Sequence, residues 1–133
     1  MNAHSAASAY KREAIENAPP VKVVQMLYAG ALRHLDRALA SDPGQAGSPF
    51  VESLSRADEI VIELRLALDA EAAPELAGSL QQLYLFVEDR IGAALAARDH
   101  EPVRGAREVL HTLQQGWAAI ELEPAPNGPG GRA

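Results

Sequence analysis

The chain has 133 residues, 47% of them apolar and 5% aromatic, with 12 Lys and Arg against 18 Asp and Glu for a formal net charge of −6. That is one domain's length with enough apolar residues for a core, too few aromatics for a β-sandwich or barrel, and the wrong sign of charge for nucleic acid or an anionic membrane surface. Cysteine is absent, which excludes disulfides, thiol nucleophiles, iron–sulfur clusters and Cys-based zinc sites.

Residues 1–18 are small and polar apart from Tyr10 and Ile15. They read as a flexible N-terminal arm and lack the apolar stretch of a signal peptide. Pro19 and Pro20 follow, and Pro at a first helical turn sacrifices no hydrogen bond. Val24, Leu27, Tyr28, Ala31, Leu35, Ala38 and Leu39 then recur at helical spacing, predicting a first helix from Val21 to about Ala40. Residues 41–49 carry two Pro and two Gly and read as a loop.

A second helix is expected from Phe50 to Leu68, with Leu54, Ala57, Val61, Leu64 and Leu68 on one face. Asp69 to Pro74 breaks it. The third helix runs from Pro74 to about Arg98 along Leu76, Leu80, Leu83, Val87, Ile91 and Ala94. After a joint at Asp99 and His100, the fourth continues to Leu122 along Val103, Ala106, Leu110, Leu113, Trp117 and Ile120. Residues 123–133 are rich in Pro and Gly and read as a disordered C-terminal tail. Ala and Leu, both strong helix formers, dominate the apolar set. The expected fold is all-α, an antiparallel up-and-down four-helix bundle over 19–122. No stretch reaches the roughly 18 apolar residues of a membrane span, so a soluble, cytoplasmic protein is expected.

Catalytic patterns are missing: there is no phosphate loop, no G-x-S-x-G elbow and no H-E-x-x-H. Glu108 and His111 make one Glu-x-x-His, the spacing of di-iron bundles, but such a site needs two copies and two further inward-facing Glu. Both residues also lie off the apolar stripe of their helix. We therefore expect a binding protein without enzymatic activity, metal or cofactor. A metal-binding bundle around Glu108 and His111 is the alternative from another class.

More informative is the apolar surplus left after the core is assigned. In Glu59–Leu68, Ile60, Ile62 and Leu66 fall outside the core stripe. The run Leu83-Tyr-Leu-Phe-Val87 is continuously apolar, so some of Tyr84, Leu85 and Phe86 must face away from the third stripe. On the first helix Val23 and Met26 are also surplus, with Gly30 one turn later permitting close backbone approach. A helix apolar beyond one stripe is either buried on two sides or offers a surface to a partner. Helices two and three are thus central in the bundle, or they line a groove for amphipathic helices of another chain. A structural homodimer would bury the same surplus against a second copy. Tyr10 and Ile15 are either a cover for such a groove or incidental apolar residues in the arm.

Several segments resemble one known family. Ala9-Tyr10, then Met26-Leu-Tyr-Ala-Gly-Ala-Leu-Arg-His-Leu35, look like the opening of FliS, the flagellar secretion chaperones specific for flagellin. The likeness continues through Leu54–Ala57, Ile60–Asp69, Glu75–Tyr84 and Val109–Trp117, in order and spacing over about 9–121. The resemblance implies a helical bundle that binds the disordered C-terminal segment of flagellin, blocks premature polymerisation and presents the complex to the flagellar type III export gate. It also implies that the N-terminal arm packs on the body. On this basis the partner-binding surface is expected at Ile60, Ile62, Leu66, Tyr84, Phe86 and Val87, then Val23 and Met26, with Tyr10 and Ile15 as the displaceable cover. The chain departs from the family pattern at Pro19, where Ser or Thr is usual, at Ala29, where an acid is usual, and at Leu85 and Phe86, where an acid and a Tyr are usual. These departures bear on the polar contacts of the groove rather than on the fold.

Overall fold

The computed structural model describes residues 21–71 and 73–122, the side chains of 119–122 excepted. The expected arm and tail, with Tyr10, Ile15 and Pro19, lie outside the described residues, as does the side chain of Ile120. Four helices account for the rest: α1 (Val21–Leu39), α2 (Phe50–Leu66), α3 (Pro74–Ala97) and α4 (Glu101–Leu122). Each helix packs against two others, α1 on α2 and α4, and α3 on α2 and α4. The short connections make sequential neighbours antiparallel, and the cross-ties Gln25 to Trp117 and Asp36 to Arg107 set α1 antiparallel to α4. The architecture is the expected all-α bundle.

Local chemistry sets the helix ends. Ser48 Oγ accepts the Phe50 backbone N–H at 3.3 Å and donates to the Asp42 carbonyl, starting α2 without a side-chain cap at Pro49. Pro74 occupies the first turn of α3, where its missing N–H costs nothing. Helix α3 stops at Arg98, which adopts a left-handed conformation (φ 53°) usually reserved for glycine. Asp99 Oδ1 then accepts the Glu101 N–H to open α4. The loop after α1 is tied to this joint by His100 Nε2 donating to the Ser41 carbonyl at 2.7 Å, with the His100 ring tilted against Phe50.

A single core fills the interior, built on Val24, Tyr28, Leu35, Leu54, Val61, Leu80, Val87, Ile91, Val103, Leu110 and Trp117 among others. Two details differ from expectation. Leu83, assigned to the core stripe, is exposed, and its neighbour Tyr84 is buried instead. The true stripe of α3 runs 76, 80, 84, 87, 91, 94, because only Tyr84 can bring its hydroxyl to another buried one. Helix α2 also ends at Leu66, two residues early, leaving Leu68 half-buried in the linker. At Gly30 the expected close approach is present: a Cβ there would sit 3.3 Å from Ile60 Cδ1 of α2.

Candidate functional site

The residues expected to form one partner-binding surface separate into three groups. Tyr84 and Val87 are interior, 2% and 0% exposed, and do not belong to any outer surface. Ile60 and Ile62 are half-buried, Ile60 because its side chain fills the space above Gly30. Val23, Met26, Leu66 and Phe86 are exposed, with Met26 at 66% and Leu66 at 72%. Leu83 and Leu85 join them, and so does Val51 near the start of α2.

Helical geometry assigns these side chains to different seams. Val23 and Met26 lie seven and four residues before Gly30, so they follow the flank of α1 that meets α2. Ile62 and Leu66 lie on the flank of α2 that carries Arg65. Arg65 reaches α3 through a two-pronged bond to Glu88, at 2.7 and 3.2 Å. Leu85, three residues before Glu88, follows the matching flank of α3. Phe86 belongs elsewhere. The Arg90 guanidinium sits 5.9 Å from its ring centre, and the Arg90 stem runs 3.8 Å from where a Cβ on Gly105 of α4 would be. Phe86 and Leu83 therefore mark the α3–α4 side, across α3 from Ile62 and Leu66. No single straight groove joins the two sides.

Val23, Met26 and Leu66 nevertheless share one end of the bundle, the first two toward the α1–α2 seam and Leu66 on the α3-facing flank of α2. Because Gly30 packs against Ile60 in an antiparallel pair, the first turns of α1 lie beside the last turns of α2. A cleft opens at this end, lined by Val24, Leu27, Leu64, Ala67, Leu68, Leu80, Tyr84 and Trp117, with about 20 Å³ of free volume. That is room for a single water, not for a ligand. Sequence periodicity assigns Leu27, Leu64, Leu68 and Leu80 to the core, and nothing in the pattern distinguishes a core wall from the floor of a cleft.

The cleft floor is rigid for a chemical reason. The Tyr28 and Tyr84 hydroxyls are 2.7 Å apart, and the Trp117 ring lies 6.4 Å from that of Tyr28. Burial pushes the Tyr28 phenol up to about 12, against the opposing pull of its hydrogen bond to Tyr84. At the α2–α3 seam, Asp58 has one carboxylate oxygen buried without a partner. Its carboxyl is raised by burial and by Glu88, with Arg65 acting in the other direction.

Other chemistry is sparse among the described residues. Glu108 is exposed and His111 half-buried, and no three His, Asp or Glu side chains converge on a metal-sized site. No described helix is long and apolar enough to cross a membrane.

Residues 2–124 match the family described as Flagellar protein FliS. Flagellar secretion chaperone FliS of Vibrio cholerae is 32% identical over 120 residues, covering 86% of this chain and 88% of that protein. Flagellar secretion chaperone FliSB of Pseudomonas aeruginosa is 29% identical over 124 residues, 90% of this chain and 98% of that protein. The Escherichia coli K12 FliS chaperone is 30% identical over 115 residues, 84% of this chain and 83% of that protein.

Proposed function

Because this chain belongs to the FliS family of flagellar secretion chaperones, we propose that it binds the disordered C-terminal segment of flagellin in the cytoplasm. Holding that segment keeps flagellin from polymerising before export, and the complex is then delivered to the flagellar type III export gate. The observation that carries this reading is the apolar end of the bundle, where Val23, Met26 and Leu66 stand exposed beside a cleft. Exposed aliphatic side chains on a small acidic domain favour self-aggregation unless a partner covers them. An amphipathic helix along the end of the α1–α2 seam covers Val23 and Met26, and it reaches Leu66 only by crossing α2.

Ile60 and Ile62 support the rim from half-buried positions, and Tyr84 contributes from beneath as part of the cleft floor. Phe86 and Leu83 serve a second contact across α3, which a partner reaches only by wrapping around that helix. Tyr10 and Ile15 cover the apolar end when the partner is absent. Coupled folding of a disordered segment costs several kcal/mol, which keeps so large a contact releasable at the gate.

Circular dichroism of the full chain mixed with a flagellin C-terminal segment tests the proposal. Helical signal above the sum of the separate spectra is expected as the segment folds on the bundle. A spectrum equal to that sum, at concentrations of tens of micromolar, would overturn it.

A further inference from the structure

Gly30 lies in the interior of α1, where glycine weakens a helix relative to alanine. It is buried, and it does not have the positive φ that would demand a glycine. What Gly30 supplies is a notch. A Cβ there would sit 3.3 Å from Ile60 Cδ1 of α2, tighter than ordinary van der Waals contact, and 3.6 Å from the Arg33 guanidinium. A Cβ on Gly78 or Gly92 of α3, by contrast, would meet nothing within 4 Å. The notch also lies in the most extensive helix pairing of the bundle, α1 on α2. A side chain seated in a notch fixes the register of two helices as well as their separation. Val23 and Met26 precede Gly30 by seven and four residues, so their place beside α2 follows from where Ile60 seats.

Resting on the chaperone reading above, we infer that Gly30 is a positioning residue for partner binding. It acts through Ile60, which sets the height and spacing of α1 against α2 and with them the position of the exposed Val23 and Met26. A methyl group at position 30 displaces Ile60 by a few tenths of an ångström. Ile60 is half-buried and has room to give way, so the bundle survives while the seam that carries Val23 and Met26 changes.

The test is a double-mutant cycle on the full chain, read by calorimetric titration with a flagellin C-terminal segment. Gly30→Ala should keep its helical circular dichroism and a Tm within about 5 °C of the unaltered chain. Its binding should weaken about three- to tenfold, the coupling expected between residues in contact. Ile60→Val deletes the Cδ1 atom that the new methyl meets, so Gly30→Ala in that background should cost less than about twofold. Gly92→Ala adds the same methyl to a helix facing open space and should leave binding unaltered. An equal cost of Gly30→Ala in both backgrounds, no cost in either, or a Tm lowered by more than about 5 °C would overturn the positioning role while leaving the chaperone reading intact. No binding by the unaltered chain at tens of micromolar would overturn both.

Discussion

Tyr28 of α1 and Tyr84 of α3 meet hydroxyl to hydroxyl at 2.7 Å in the middle of the bundle, joining helices that otherwise pack through α2 and α4. Each phenol is 2% exposed or less, so water does not compete for the bond. The pair holds the floor of the cleft and fixes the rotation of α3 about its axis.

Replacing either tyrosine by Phe should therefore cost about 1–2 kcal/mol, the penalty for leaving the other hydroxyl less well satisfied in the interior. The double variant should cost less than the sum of the singles, because it removes both polar groups together. Urea unfolding of the four proteins measures the difference.

The same pair sets a limit at high pH. An unfolded tyrosine ionises near 10 and Tyr28 in the fold near 12, so the fold favours the neutral phenol. Its contribution is complete below about pH 10 and is lost as pH rises through about 12, an effect on the order of 2–3 kcal/mol. Tyr28→Phe should flatten the stability profile above pH 10. A profile unchanged by the substitution would assign the alkaline loss to other groups.

Asp58 follows the same linkage at the acid end of the scale. Its carboxyl is raised by burial and by Glu88, so the ionised form is disfavoured in the fold. The stability linked to this group is present below the unfolded pKa and is lost as pH rises through the folded one. Asp58→Asn should then raise Tm at neutral pH by about 1–3 °C, with the gain vanishing in acid. Thermal melts at neutral and acid pH read this directly.

Leu66→Asp separates binding from folding. The side chain is 72% exposed, so the change should move stability by less than about 0.5 kcal/mol while weakening flagellin binding at least about tenfold. Val87→Asp places a charge in the core and should prevent folding altogether. Phe86→Asp should fold and should weaken binding only if the partner also reaches the α3–α4 side.

Val87 and Phe86 also show what is legible in a sequence. The stripes of α1, α2 and α4 are set by polar residues between the apolar ones, and their buried faces match the helical spacing almost residue for residue. Leu83-Tyr-Leu-Phe-Val87 has no polar residue to give it a phase. Periodicity then selects Leu83 and Val87 for the core and leaves Tyr84 for the surface, whereas the packed helix exposes Leu83 and buries Tyr84 with Val87; only the family resemblance places Val87 on the outer surface. The deciding partner, the Tyr28 hydroxyl, lies 56 positions away in sequence. The cleft is equally illegible, because it arises where the ends of different helices meet. Met26 and Leu66 were visible as surplus on their own helices, and only the antiparallel packing at Gly30 and Ile60 brings them to one end.

The most direct test of the central claim is a calorimetric titration of the full chain with a flagellin C-terminal segment at several temperatures. Saturable 1:1 binding with a negative heat-capacity change is predicted, as apolar surface on Val23, Met26 and Leu66 leaves water. Absence of heat and of binding at tens of micromolar, or binding undiminished in Leu66→Asp, would contradict the placement of the partner at this end of the bundle.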